Sequence, residues 1–147
     1  MAEHNATRHT RAWDEPSRDF EHFFEHEYGS LLALAIGLSA SSAEAEEHVQ
    51  DAFAIAYRSW LNVQFLDSPG GWTRRVLLNR LASAHRRSQS ERRGVLRLAP
   101  PAATVDVHTD AELWAAVREL PVRQAQAVAL HYIEDLPVKE IAELLDI

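Results

Sequence analysis

Arg75, Asn79, Ser83 and Arg86 follow one another at intervals of four, four and three residues. On a helical projection they fall within about 80° of one another, with Arg80 and Arg87 at the rim. Guanidinium groups hold phosphates through paired hydrogen bonds, and an Asn amide offers a base edge both a donor and an acceptor. Charge is sorted to match. Between Arg74 and Arg97 lie eight basic residues and one acid, Glu91, while residues 1–73 hold four basic and twelve acidic residues and residues 98–147 hold three and nine. One basic island in a chain of net charge −7 implies a polyanion met at one place and other partners elsewhere. A solvated helix, or one that meets an acidic protein surface, is the plainer reading; the clustering favours nucleic acid.

A second group matches a hydrolase signature. His22-Phe23-Phe24-Glu25-His26 has the H-x-x-E-H spacing in which two histidines one turn apart grip zinc and a glutamate activates water. The two histidines project opposite the Phe20, Phe24 and Leu31 side of the same helix, and no third ligand suggests itself, so solvated histidines are expected. The chain has no cysteine, which removes thiolate metal sites, disulfides and thiol catalysis. It has no G-x-G-x-x-G or G-x-x-x-x-G-K loop, so no phosphate-cradling turn and no cofactor are expected.

The elements that must position these groups read as helices throughout. Residues 1–17 are polar and mixed in charge, a tail. From Asp19 to near Leu38 an apolar face of Phe20, Phe23, Phe24, Tyr28, Leu31, Leu34, Ala35 and Leu38 repeats at helical spacing. A second helix opens at Ser42 with acids in its first turn and buries Val49, Ala52, Phe53, Ala56 and Trp60. Its Glu47, Gln50, Asp51 and Ala54 form a separate polar side, on composition alone a solvated one. Residues 62–71 form a turn-rich loop carrying Phe65 and Leu66, which either plug the core or receive something such as an unstacked base. The basic helix starts at Trp72 and shows a wide apolar surface of Val76, Leu77, Leu78, Leu81 and Ala84. Residues 94–110 have linker composition. Thr109-Asp110-Ala111-Glu112 reads as a capping box, and further helices begin at Pro121, burying Ala125, Val128, Ala129 and Tyr132 or Ile133, and at Pro137. The expected fold is all-α: two small helical domains, residues 18–93 and 111–147, joined by a flexible linker. No apolar run approaches the roughly 20 residues of a membrane span, and the N-terminus lacks the apolar core of a signal peptide, so a cytoplasmic protein is expected.

These pieces, in this order, resemble the extracytoplasmic-function (ECF) group of bacterial sigma factors, within the sigma-70 family. Ala45-Glu46-Glu47-His48-Val49-Gln50-Asp51-Ala52-Phe53 is similar to that group's A-E-D-x-V-Q-[DE]-x-F stretch. Gly71-Trp72-Thr73-Arg74-Arg75-Val76-Leu77-Leu78-Asn79-Arg80 is similar to W-L-x-R-[IV]-A-x-N. Glu119-Leu120-Pro121-Val122-Arg123-Gln124 and the stretch from Tyr132 to Ala142 resemble L-P-x-[RK]-[QE] and Y-x-[ED]-x-[LM]-S-x-x-E-I-A. Each motif is loose, but four in order and at the right spacing are specific.

The resemblance implies a sigma region 2 bundle and a region 4 domain, and no enzyme activity. It implies that Glu46, Glu47, Gln50 and Asp51 dock on the clamp helices of the RNA polymerase largest subunit. It implies that the Phe65 and Leu66 loop takes a base flipped from the non-template strand of the −10 element, while Arg74, Arg75, Asn79, Arg80, Arg86 and Arg87 hold that strand. Melting then needs no chemistry, because capture of an unstacked base favours the open state. An anti-sigma factor that hides these surfaces is the further partner implied. Leu77 stands where the group has Ala, and Pro137 replaces its capping Ser. The recognition helix for −35 DNA would come after Ile147, so a partial region 4 in a truncated chain is expected, and the alternative role is a fragment serving as an anti-sigma-binding module.

Overall fold

The computed structural model describes residues 19–95 and 109–147, apart from the side chains of 92–95 and 109. The expected tail and most of the expected linker lie outside the described residues, as do the side chains of Arg92, Arg93 and Arg97. Seven helices make up the described residues: α1 Phe20–Leu38, α2 Ser42–Arg58, α3 Trp60–Val63, α4 Pro69–Val95, α5 Thr109–Arg118, α6 Val122–Tyr132 and α7 Val138–Leu145. None is long and apolar enough to cross a membrane.

Local chemistry sets the helix starts. Asp19 caps α1 by accepting from the Glu21 N–H at 3.1 Å. Ser41 caps α2 by accepting from the Glu44 N–H at 3.2 Å. Replacing Ser41 by alanine should cost about 1 kcal/mol and by glycine only a few tenths, read from urea unfolding of the two variants side by side. The basic helix begins earlier than the sequence pattern suggests. Pro69 occupies its first turn, where a missing N–H costs nothing, and the Ser68 hydroxyl accepts from the Gly71 N–H at 2.9 Å. With α3 filling 60–63, the expected ten-residue loop shrinks to residues 64–68. Asp146, in the left-handed region at φ 59°, closes α7; the Ile147 N–H returns to the Ala142 carbonyl and the Asp146 N–H to that of Glu143.

α1 and α2 pack as an antiparallel pair across a cluster of rings, with α4 laid against both. Phe53 sits at the cluster's centre, edge-on to Phe23 and Phe24 at 5.8 and 4.8 Å and tilted against Tyr28 at 6.1 Å. Leu31, Leu34, Val49, Ala52, Leu77, Leu78 and Leu81 continue the interior below it. The helices after the linker do not stand apart. Val117, Ala125, Ala129, Leu130, Leu136, Ile141 and Leu145 join the same buried cluster, because α5 and α6 pack on α1 while α6 and α7 pack on α4. Of the two alternatives at the end of α6, Ile133 takes the half-buried position and Tyr132 stays exposed.

Candidate nucleic-acid interface

Because α4 presents Leu77, Leu78, Leu81 and Ala82 to the core, the residues offset from them face outward. Arg75, Asn79, Ser83, Arg86 and Arg87 are all exposed on α4. The strip formed by the first four matches the helical projection. At the N-terminal side of α4 stand Phe65, 65% exposed, and Leu66, 40% exposed, so neither plugs the core. Basic side chains along a helix, with exposed apolar side chains beside its start, can hold a phosphate backbone and offer an unpaired base a surface to stack on.

Arg74 is the exception, and the expectation that it holds DNA needs correcting for this arrangement. Its side chain is 0% exposed. Nη1 donates to Glu27 Oε1 at 2.8 Å and to the Gly70 carbonyl at 3.2 Å, and Nε donates to Glu134 Oε2 at 2.6 Å. The physical reason lies in the register: Arg74 precedes Leu77 and Leu78 by three and four positions, which puts it on the core side of α4. Glu27 lies on the core side of α1 in the same way, between Phe23 and Leu31, and Glu134 reaches in from just beyond α6. A charged residue three or four positions from two core aromatics or leucines, on two separate helices, is the available signal for this ion cluster. Nothing in periodicity told which partner each would find.

Two other assigned residues meet each other. Arg80 Nη2 donates to Asp51 Oδ2 at 2.8 Å, with both side chains about two-fifths exposed, at 40% and 44%. A pair this exposed contributes about 0–1 kcal/mol and yields readily to a competing partner. Glu46, Glu47 and Gln50 are exposed on α2, away from the ring cluster. Arg75, although exposed, also donates from Nε to the Leu144 carbonyl at 3.3 Å and from Nη2 to that of Glu143 at 3.1 Å. Gln126, a buried side chain that the apolar pattern did not mark, donates from Nε2 to the Leu78 carbonyl at 2.8 Å. His22, Glu25 and His26 of the zinc-like motif are all exposed, and His26 Nδ1 lies 3.2 Å from Glu27 Oε2. Among the described residues, no group of three or more His, Cys, Asp or Glu is placed to hold a metal.

Comparison with known proteins points the same way. A family model described as Sigma-70 region 2 matches residues 23–91, and one described as Sigma-70, region 4 matches residues 110–147. The chain is 25% identical over 130 residues to proteins named ECF RNA polymerase sigma factor SigM from two strains of Mycobacterium tuberculosis, Erdman and H37Rv. That alignment covers 87% of the chain and 66% of the relatives, so the chain spans just under two thirds of their length. No solved structure matches it.

Proposed function

The chain belongs to the sigma-70 family, and from that membership we propose that it directs RNA polymerase core to promoters as an ECF-type sigma factor. It acts without catalysing a reaction. The exposed strip of Arg75, Asn79, Ser83 and Arg86 on α4, inside the region 2 match, is the observation that carries this reading. In it, Arg86 and Arg87 neutralise phosphates of the −10 non-template strand, Asn79 meets a base edge, and Phe65 and Leu66 receive a flipped base. Holding the unstacked base shifts the duplex toward its melted state. Glu46, Glu47, Gln50 and Asp51 engage the clamp helices of the polymerase, a basic protein surface that suits their charge. An anti-sigma factor covering the same two surfaces holds the protein inactive, and the work is done in the cytoplasm, where the polymerase is.

The test is salt-dependent binding of a single-stranded −10 oligonucleotide, followed by fluorescence anisotropy. The slope of log K against log salt should be about −0.7 per phosphate neutralised. Arg86→Ala combined with Arg87→Ala should flatten the slope by roughly 1.4, two phosphates' worth, and weaken binding. An unchanged slope and affinity would remove α4 from the DNA interface.

A further inference from the structure

We propose that His22 and His26 form a bidentate site for a borderline divalent transition metal, Cu2+, Ni2+ or Zn2+, on the outer face of α1, with water on the remaining positions. The two residues stand four apart in a regular helix, so their rings rise from one side of it, a turn apart. Both are exposed. The rings already lie nearly parallel, with centroids 6.2 Å apart and planes at 29°. From that arrangement side-chain rotation alone can bring one nitrogen of each ring to a shared ion at about 2.0–2.1 Å, with no change in the backbone.

A pair of exposed histidines is common; what marks this one is the carboxylate behind it. Glu27 Oε2 lies 3.2 Å from His26 Nδ1. A carboxylate only accepts, so Nδ1 carries the proton and donates, and the lone pair is left on Nε2 at the far edge of the ring. Metal-ligating histidines are oriented in this way: the second ring nitrogen donates to a carboxylate, which fixes the tautomer and makes the metal-facing nitrogen more basic. That carboxylate is itself held. The Glu27 side chain is 4% exposed, and its other oxygen accepts from Arg74 Nη1 at 2.8 Å, so the ring is steered by a group tied into the interior. There is room for the water ligands as well. Nearly a turn beyond His26 stands Gly29, where even an added Cβ would meet nothing within 4 Å. The hydrolytic centre of H-x-x-E-H enzymes is a different arrangement, because it needs a third protein ligand, and none is placed among the described residues.

The ion binds the folded helix in preference to the unfolded chain, where nothing holds the two rings together, so metal and fold are linked. The same half of α1 supplies Phe20, Phe23 and Phe24 to the ring cluster around Phe53, which makes the metal a support for the α1–α2 pair. The experiment is calorimetric titration of the full chain with CuCl2, NiCl2, ZnCl2 and MgCl2, beside urea unfolding with each ion. Cu2+ should bind more tightly than Ni2+ or Zn2+, and Mg2+, which prefers oxygen ligands, should not bind. Free Ni2+ at about a hundred times its Kd should shift the unfolding equilibrium by up to about a hundredfold. His22 is exposed and makes no part of the core, so His22→Ala leaves the fold intact. It should weaken binding at least about tenfold, no less than the loss of an outer-shell partner costs. His26→Ala should do the same, while His131→Ala, a change to an exposed histidine elsewhere, should leave Kd unaltered. Electron paramagnetic resonance of the Cu2+ form should show a pair of imidazole nitrogens, reduced to a single one in His22→Ala. No binding, or binding of equal strength in His22→Ala, overturns the site. Mg2+ bound as tightly as Ni2+ overturns it too, because that ion would be held by surface carboxylates and not by imidazole.

Discussion

Arg74→Ala is expected to destabilise the chain by about 3–5 kcal/mol, more than any other single charge removal, because it strands two carboxylates. The Glu27 and Glu134 side chains are only 4% and 3% exposed, and the cation that they share is a guanidinium that is 0% exposed, with the half-exposed His26 ring 3.2 Å from the other oxygen of Glu27. Breaking a buried pair leaves the desolvation of the remaining charge uncompensated, which exceeds what an exposed pair such as Arg80 with Asp51 can ever contribute. Lysine is no substitute. One ammonium cannot reproduce a fork whose Nη1 meets Glu27 and the Gly70 carbonyl while Nε meets Glu134, so Arg74→Lys should recover only part of the loss. Replacing all three charges together, with methionine at 74 and leucine at 27 and 134, should be close to neutral, since the cost lies in the imbalance and not in the absence of charge. Urea unfolding of the four proteins decides it. A loss below about 1 kcal/mol for Arg74→Ala would mean that the cluster is wet and open in solution.

The same residue marks where the sequence could be read and where it could not. Six of the seven helices and their order followed from apolar spacing, since a repeat such as Phe23, Leu31, Leu34 and Leu38 leaves little choice once a core must be buried, while the four residues of α3 are too short to show a period. The outward strip of α4 followed as well, because Arg75, Asn79, Ser83 and Arg86 sit offset from Leu77, Leu78 and Leu81. Counting charge along the chain groups Arg74 with its basic neighbours because it ignores which side of the helix each residue takes. Pro69-Gly70-Gly71 has turn composition, so the sequence pattern puts the start of α4 late. Its role as a first helical turn depends on the Ser68 hydroxyl meeting the Gly71 N–H. The packing of α5–α7 onto α1 and α4 was invisible for a different reason. Apolar spacing marks Ala125 and Ala129 as buried but not what buries them, and the polar partners that fix the docking, such as Gln126 with Leu78 and Arg118 with Gly37, leave no periodic trace.

Phe53→Ala should cost about 3–5 kcal/mol, the range for removing a fully packed aromatic, and it bears on function through the placement of α2. Phe53 is 3% exposed, and Phe20, Phe23, Phe24 and Tyr28 all surround it with ring centroids 4.8–6.4 Å away. All four neighbours come from α1, so this one side chain carries much of the α1–α2 contact. Alanine removes the ring and leaves a cavity that four rigid rings cannot fill by small rotations, which places the loss toward the upper end of the range. Leucine keeps most of the volume but none of the edge-to-face geometry, each such pair adding about 0.5–1.5 kcal/mol beyond burial, so Phe53→Leu should lose roughly half as much. Glu47, Gln50 and Asp51 lie on the other side of the same helix and make no part of this cluster. If they bind polymerase through a helix that α1 holds in place, Phe53→Leu should weaken that binding only in proportion to the unfolded fraction, and cooling should restore it. Charge reversal at Glu47 should weaken binding at every temperature without changing the unfolding midpoint. Phe53→Leu binding that stays weak where the variant is fully folded would show that the ring cluster shapes the docking face directly, and that α2 is not the rigid platform supposed here.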